Sequence, residues 1–304
     1  MKVDLSVKLG KLDLKNPVLV ASGTFGYGTE YAELIDVSRL GGIITKTITP
    51  QPRPGNPPPR IWETSGGMLN SIGLANVGSD AFITDKLPAL REIDTAIIVN
   101  IAGSNVEEYW ELIEKLDDQT GIDAYEINIS CPNVKDEGMA FGSNPAVTEE
   151  IISGIRQRTE RPVIPKLTPN VTSIAEIARV CADSGADAVS LINTLVGMSV
   201  DIETRRPQLA TVTGGYSGPP IKPVALAKVL EVRRAVSIPI IGIGGISKAS
   251  DALEFIITGA NAVQIGTANF VDPQAPLEVL SGIEEFCISH DISGVQDLVG
   301  TLDI

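Results

Sequence analysis

Asn128-Ile129-Ser130-Cys131-Pro132-Asn133 closes an apolar run and gathers amides, a hydroxyl and a thiol. Carboxamides can hold a planar polar ligand through paired hydrogen bonds. A cysteine beside them can move a proton when it is poised as thiolate. The same residues also fit a strand end, a Pro-Asn turn and a buried inert thiol, so the rest of the chain must decide. Polar residues recur along other apolar runs: Ser22, Lys46 with Thr47, Asn100, Lys166, and Asn193 with Thr194. If these runs are parallel strands of one barrel, their ends converge on one pocket.

Glycines cluster at three further points. They are Gly242-Ile243-Gly244-Gly245, Ile265-Gly266-Thr267 and Ser217-Gly218-Pro219. In barrels the loops after the seventh and eighth strands recurrently bind phosphate through backbone N–H groups at a helix N-terminus. Glycine lets the backbone approach the anion closely. Plain turn glycines are the alternative. No GxGxxG occurs, so no Rossmann dinucleotide site is apparent. A phosphate-anchored ligand, amides, two lysines and a cysteine, without metal ligands, suggest an organic cofactor, and FMN fits. A lysine near the N1–O2 edge of a flavin would stabilise the anionic reduced ring. A second lysine would suit a substrate carboxylate.

These residues need a scaffold that brings strand ends together. Eight short β-rich runs alternate with helical patterns: Val18–Ser22, Gly42–Thr47, Ala96–Gly103, Ala124–Ser130, Pro162–Thr168, Ala188–Thr194, Pro239–Ile246 and Ala262–Thr267. Most are nearly continuous apolar stretches, as expected for parallel strands covered on both faces. Between them, Glu107–Leu116, Ser173–Ala182 and Ala249–Ile257 have helical periodicity. Eight β-then-α units predict an α/β fold, a (β/α)8 TIM barrel, as a single domain over residues 1–304. A doubly wound open sheet is the competing architecture. Asp4–Leu14 reads as an N-terminal hairpin that would plug the bottom of the barrel. Ile48–Ser79 and Leu195–Gly218 read as long loops at the C-terminal barrel face, where active sites sit. The loop after Cys131, through Gly138, Gly142 and Asn144, would act as a lid.

Composition narrows the function classes. The chain has 304 residues, 43% of them hydrophobic, enough for a large core. Its net charge is −14 and no Lys/Arg run stands out, which argues against nucleic acid or an anionic membrane as partner. No apolar leader or membrane-length run is present, so the expected location is the cytoplasm. The cysteines Cys131, Cys181 and Cys287 are widely spaced, and His290 is the sole histidine. That set offers no zinc site and no four-cysteine iron–sulfur site. Cys181 falls on the apolar face Ile174, Ile177, Ala178, Cys181, and Cys287 follows Ile283 by four. Both read as core.

Over essentially its whole length the chain resembles the dihydroorotate dehydrogenases. The resemblance rests on Ser22-Gly23-Thr24-Phe25-Gly26, Thr45-Lys46-Thr47-Ile48-Thr49 and Asn70-Ser71-Ile72-Gly73-Leu74-Ala75-Asn76. It continues through Val99-Asn100-Ile101-Ala102-Gly103, Asn128–Asn133, Pro165-Lys166-Leu167-Thr168-Pro169-Asn170, Asn193-Thr194 and the three glycine motifs. It implies oxidation of dihydroorotate to orotate in pyrimidine synthesis, with hydride passing to FMN. It implies FMN contacts at Ser22, Lys46, Thr47, Asn100, Asn128, Lys166, Ile192, Gly218, Gly244, Gly245, Gly266 and Thr267. Substrate contacts are implied at Lys46, Asn70, Ser71, Ile72, Gly73, Leu74, Asn128, Asn193 and Thr194, with Cys131 as the catalytic base.

A cysteine base is similar to class 1 members. The run Pro58-Pro59-Arg60-Ile61-Trp62-Glu63-Thr64 with Gly67-Met68-Leu69-Asn70 looks like class 1B. That class implies a partner subunit carrying FAD and a [2Fe–2S] cluster and reducing NAD⁺, with a homodimeric barrel core in a heterotetramer. Three rivals stay open on sequence: a fumarate-dependent class 1A enzyme, a flavin barrel acting on a related dihydropyrimidine, and a phosphate-binding lyase or isomerase without redox chemistry. Retention of Cys131 and both lysines argues against a non-catalytic barrel subunit.

Overall fold

Eight short strands pair side by side, every pair parallel, and close into a barrel: Val18–Val20, Gly42–Ile44, Ala96–Ile101, Ala124–Asn128, Val163–Leu167, Val189–Leu191, Ile240–Ile243 and Ala262–Ile265. The computed structural model describes residues 3–130 and 141–304. Each strand falls within one of the runs expected from sequence, and neighbours in the chain are neighbours in the barrel. Closure settles the fold as a (β/α)8 barrel and excludes the open sheet. Continuous apolar strands are the consequence of burial on both faces, by the barrel interior and by the surrounding helices.

The helices follow their apolar spacing. Val106–Asp117 buries Tyr109, Leu112, Ile113 and Leu116, and the Asn105 side chain caps its N-terminus by accepting from Glu108 N at 2.9 Å. Ile174–Asp183 buries Ile174, Ile177, Ala178 and Cys181 behind a Ser173 cap. Each large buried side chain contributes about 1.5–3 kcal/mol through area removed from water. Ala249–Thr258 matches its expected helix and buries Phe255 and Ile256. Cys181 and Cys287 are both core residues, as their spacing indicates.

Two expectations need correction. The first crossover is not an α-helix: Thr29–Tyr31 and Val37–Arg39 are single 3-10 turns. Gly23, Gly26 and Gly28 all have positive φ there, which a helix cannot continue through. The two long connections are not bare loops either. Ile61–Thr64, Gly67–Asn70, Leu195–Gly197 and Gly214–Ser217 form an antiparallel side sheet. Ile61–Thr64 and Gly67–Asn70 are a hairpin closed by Ser65 and Gly66, with Gly66 at φ 80°.

At the opposite end, Val7–Leu9 and Leu12–Leu14 form the expected hairpin. Val7, Leu9, Leu12 and Leu14 are buried, while Lys8 and Asp13 face water. Its turn residue Gly10 packs against Asp187, just before the sixth barrel strand. The hairpin therefore closes the N-terminal mouth. Asn144, at the end of the loop after Cys131, caps the helix Pro145–Arg156: its Oδ1 accepts from Ala146 N at 3.0 Å and Val147 N at 3.4 Å. Gly138 lies outside the described residues.

Candidate active site

The expected polar residues gather at the C-terminal ends of the barrel strands. Ser22 follows the first strand and Thr47 the second, and their hydroxyls lie 3.2 Å apart. Lys46, between them in the rim, is half-buried. Among the described residues its ammonium has no hydrogen-bond or ion-pair partner. Burial pushes the Lys46 pKa below the ordinary lysine value. The Glu30 carboxylate opposes that shift, and the Arg60 guanidinium adds to it. A cation held in this way suits an anionic ligand.

Asn100, Asn128 and Lys166 come from the third, fourth and fifth strands, with Asn128 and Lys166 directly opposite each other. All three are buried. Asn128 Oδ1 accepts from Ser130 N at 3.1 Å, and its carbonyl accepts from Tyr109 Oη at 2.8 Å. Asn100 Nδ2 donates to Glu126 Oε1 at 2.7 Å, while Asn100 Oδ1 is buried without a partner among the described residues. Cys131 lies outside the described residues.

Sequence reasoning passed over Glu126, Ser190 and Gln264. They form a polar floor with Asn100 and Lys166. Glu126 is fully buried and accepts from Asn100 Nδ2, from Ser190 Oγ at 2.9 Å and from Gln264 Nε2 at 2.6 Å, and its Oε1 is 3.5 Å from Lys166 Nζ. The signal was present. Glu126 stands two residues before Asn128 inside a buried strand, so both face the same side. A carboxylate there is rarely tolerated without partners.

The side sheet positions the rest. Asn70 ends one of its strands and pairs with Gly215, and its Nδ2 donates to Gly215 O at 3.3 Å. Gly215 also pairs with Val196, three residues beyond Asn193. The sheet thereby joins the Asn70 segment to Asn193 and Thr194. Asn193 N donates to Leu167 O at 2.9 Å and its Oδ1 accepts from Thr194 N at 2.8 Å. Thr194 O accepts from Asn170 Nδ2 at 2.9 Å, an anchor that the sequence reading did not single out. Ser71 Oγ accepts from Asn56 Nδ2 at 2.9 Å, and Ile72 O accepts from Asn56 N at 3.0 Å. Gly73 and Leu74 both have positive φ, so the segment turns sharply just past Ile72.

The glycine motifs also meet. Ser217 Oγ and Thr267 Oγ1 are 2.8 Å apart, joining the end of the side sheet to the end of the eighth strand. Gly244 packs against Ile192 and Ala225, and a Cβ on Gly245 would lie 3.0 Å from Gly218 O. Ile192 itself is buried and donates from N to Ile243 O at 3.0 Å. Gly266 differs from the others. A Cβ there meets nothing closer than Ala21 Cβ at 3.6 Å, and one on Gly23 meets nothing within 4 Å. The cradle is closely packed backbone at Gly244 and Gly245, with ordinary contacts at Gly266 and open space beside Gly23. Together with the orphaned Asn100 oxygen and the unpartnered Lys46, such a site could hold a ligand that carries both hydrogen-bonding and anionic groups.

Among the described residues, no group of three or more His, Cys, Asp or Glu side chains could hold a metal ion. None of the described helices is long and apolar enough to cross a membrane.

A family model described as dihydroorotate dehydrogenase matches residues 4–287. The chain is similar to the dihydroorotate dehydrogenase B (NAD(+)), catalytic subunit, of Pelobacter propionicus, 54% identical over 303 residues that span all of both chains. The protein of the same name from Geotalea daltonii is also 54% identical, over all of this chain and 99% of its own. That from Geobacter sulfurreducens is 53% identical over the same shares. This chain belongs to the dihydroorotate dehydrogenase family.

Proposed function

We propose that this chain is the catalytic subunit of an NAD⁺-linked dihydroorotate dehydrogenase that oxidises (S)-dihydroorotate to orotate for pyrimidine synthesis. The carrying observation is full-length similarity to proteins bearing that name, on a barrel whose strand ends gather Lys46, Asn100, Asn128 and Lys166. The whole of residues 1–304 works as one FMN-binding barrel in the cytoplasm.

Ser22, Thr47, Asn100, Asn128, Lys166 and Ile192 hold the ring system of FMN, and Gly218, Gly244, Gly245, Gly266 and Thr267 hold its phosphate. The close backbone approach of Gly245 to Gly218 and the orphaned Asn100 oxygen support that assignment. Bound FMN supplies the acceptor for the hydride that leaves C6 of the substrate. Cys131 as thiolate takes the C5 proton, so the substrate loses one proton and one hydride and gains a C5–C6 double bond. Lys46 and the backbone from Ser71 through Leu74 bind the substrate carboxylate. The amides of Asn70, Asn128 and Asn193, with Thr194, orient the pyrimidine edge. Lys166 places positive charge beside the ring that receives electrons.

The relatives' name includes the words catalytic subunit, which supports a second chain. We assign FAD and a [2Fe–2S] cluster to that chain, and a homodimeric barrel core to the heterotetramer. The test is the visible spectrum of the purified protein. A yellow protein that releases FMN on denaturation and bleaches with dihydroorotate is expected. A colourless folded protein, or one unmoved by dihydroorotate, overturns the assignment.

A further inference from the structure

Beneath the candidate site, Glu126 accepts hydrogen bonds from three barrel strands and is ion-paired with the Lys166 ammonium of a fourth. Asn100 and Lys166 meet Oε1, while Ser190 and Gln264 meet Oε2. Every one of these partners can donate, and an ionised carboxylate can accept from all of them at once. Asn128, two residues along, is the cross-strand partner of Lys166. Glu126 therefore sits about 7 Å deeper along its strand than Asn128, level in register with Asn100. The Lys166 side chain is 7% exposed and that of Glu126 not at all. Lys166 has no other ion-pair partner among the described residues.

We propose that Glu126 is a positioning residue for Lys166: its carboxylate holds the ammonium at the barrel floor and sets how much positive charge the flavin ring feels. This inference rests on the proposed function. Two consequences separate it from a purely structural role. Glu126→Gln removes one negative charge while keeping the shape, so Lys166 acts on the ring without a counter-ion and the flavin becomes easier to reduce. The network accommodates that exchange. Gln264 Oε1 and Asn100 Oδ1 are buried acceptors without partners, so turning the Gln264 amide offers an oxygen to the new N–H₂. The second consequence is dependence on Lys166. Lys166 is the cation that Glu126 meets among the described residues, so its effect on the ring passes through that ammonium. In a Lys166→Met background, Glu126→Gln should therefore change little.

The experiment is spectroscopic redox titration of bound FMN in wild type, Glu126→Gln, Lys166→Met and the double variant, with thermal melting of each apoprotein alongside. Glu126→Gln should shift the two-electron reduction equilibrium about tenfold toward the reduced form, close to 30 mV upward. Lys166→Met should shift it downward, and adding Glu126→Gln to that variant should move it less than about twofold, or 9 mV. An unshifted or lowered potential in Glu126→Gln, or the same upward shift in both backgrounds, overturns the proposal. A glutamine variant that does not fold assigns Glu126 to holding the barrel together and overturns it too. Wild-type protein without flavin overturns instead the function on which the inference stands.

Discussion

Ser217 Oγ and Thr267 Oγ1, 2.8 Å apart, fasten the side sheet to the end of the eighth barrel strand beside Gly266. Two glycines in this cradle should respond oppositely to alanine. Gly245 has φ 74°, and a Cβ there would sit 2.8 Å from Lys222 N. Gly245→Ala should cost about 1–3 kcal/mol of stability. Gly266 has no positive φ and room for a methyl group. Gly266→Ala should leave the apoprotein as stable or up to about 1 kcal/mol more so, by restricting the unfolded chain. Under the proposed function the backbone at Gly266 approaches the cofactor phosphate closely, and a side chain there holds it off, so FMN affinity should fall at least about tenfold, a loss of roughly 1.4 kcal/mol. Thermal melts and fluorescence titration with FMN read both effects. Unchanged FMN affinity in Gly266→Ala would remove the phosphate from this cradle.

Lys46 should link orotate binding to pH. Its pKa is lowered chiefly by burial, so the ammonium begins to discharge below the ordinary value of about 10.4. Above the lowered pKa, orotate affinity should fall about tenfold per pH unit as the carboxylate loses its cationic partner. Stability moves the other way. Between the lowered folded pKa and the unfolded value the unfolded chain holds more protons, so apoprotein stability rises with pH across that window. Below it, the cost of the desolvated charge is fully present. Lys46→Met should therefore abolish measurable orotate binding while raising the apoprotein Tm by about 1–2 °C. Calorimetric titration between about pH 7 and 10 tests the binding arm. A flat affinity profile contradicts the role of Lys46.

The barrel was legible because each strand is a short apolar run bounded by polar ends, and strand order follows chain order. The candidate site was legible where a polar residue ends such a run, as at Thr47, Asn128 and Asn193. Glu126, Ser190 and Gln264 escaped notice because single polar letters inside apolar runs give no clue to one another. Only barrel closure brings together residues up to 138 positions apart. The side sheet escaped for a related reason. Its strands come from two connections more than a hundred residues apart, and only the Ser65-Gly66 turn betrays one hairpin locally. In the first crossover, glycines at positive φ overrode the expected helix.

Two of the thiols should be inert. Burial pushes the Cys181 thiol far up, and it raises Cys287 as well, with Asp297 adding to that effect. Both side chains are enclosed in the core. Since the thiolate is the reactive form, alkylation of the native protein near pH 8 should leave both unmodified, whereas denatured protein should label at both. Peptide mass spectrometry after iodoacetamide treatment decides this. Native labelling of Cys181 at the denatured rate would contradict the packing around Ile174–Asp183.

Cys131→Ala should retain FMN and orotate binding yet slow flavin reduction by dihydroorotate at least about a hundredfold, the low end for removal of a general base. Stopped-flow absorbance follows the reduction. Reduction near the wild-type rate in the alanine variant would exclude Cys131 as the base.

The proposed NAD⁺ linkage makes a direct prediction about the electron acceptor. Its sequence contains no GxGxxG fingerprint and has three cysteines, one short of a four-cysteine cluster. Under the proposed function, electrons delivered to FMN pass through a second protein on their way to NAD⁺. The purified chain alone should oxidise dihydroorotate with an artificial dye as acceptor and should reduce NAD⁺ at under about one hundredth of the dye rate, a barrier difference of roughly 2.7 kcal/mol. Adding a subunit that carries FAD and [2Fe–2S] should restore NAD⁺ reduction, and fumarate should remain a poor acceptor in both states. Efficient NAD⁺ reduction by the chain alone would dispense with the second subunit. Efficient fumarate turnover would assign the chain to the fumarate-dependent class, where Lys46, Asn70 and Cys131 keep the same work on the substrate and only the exit of the electrons changes.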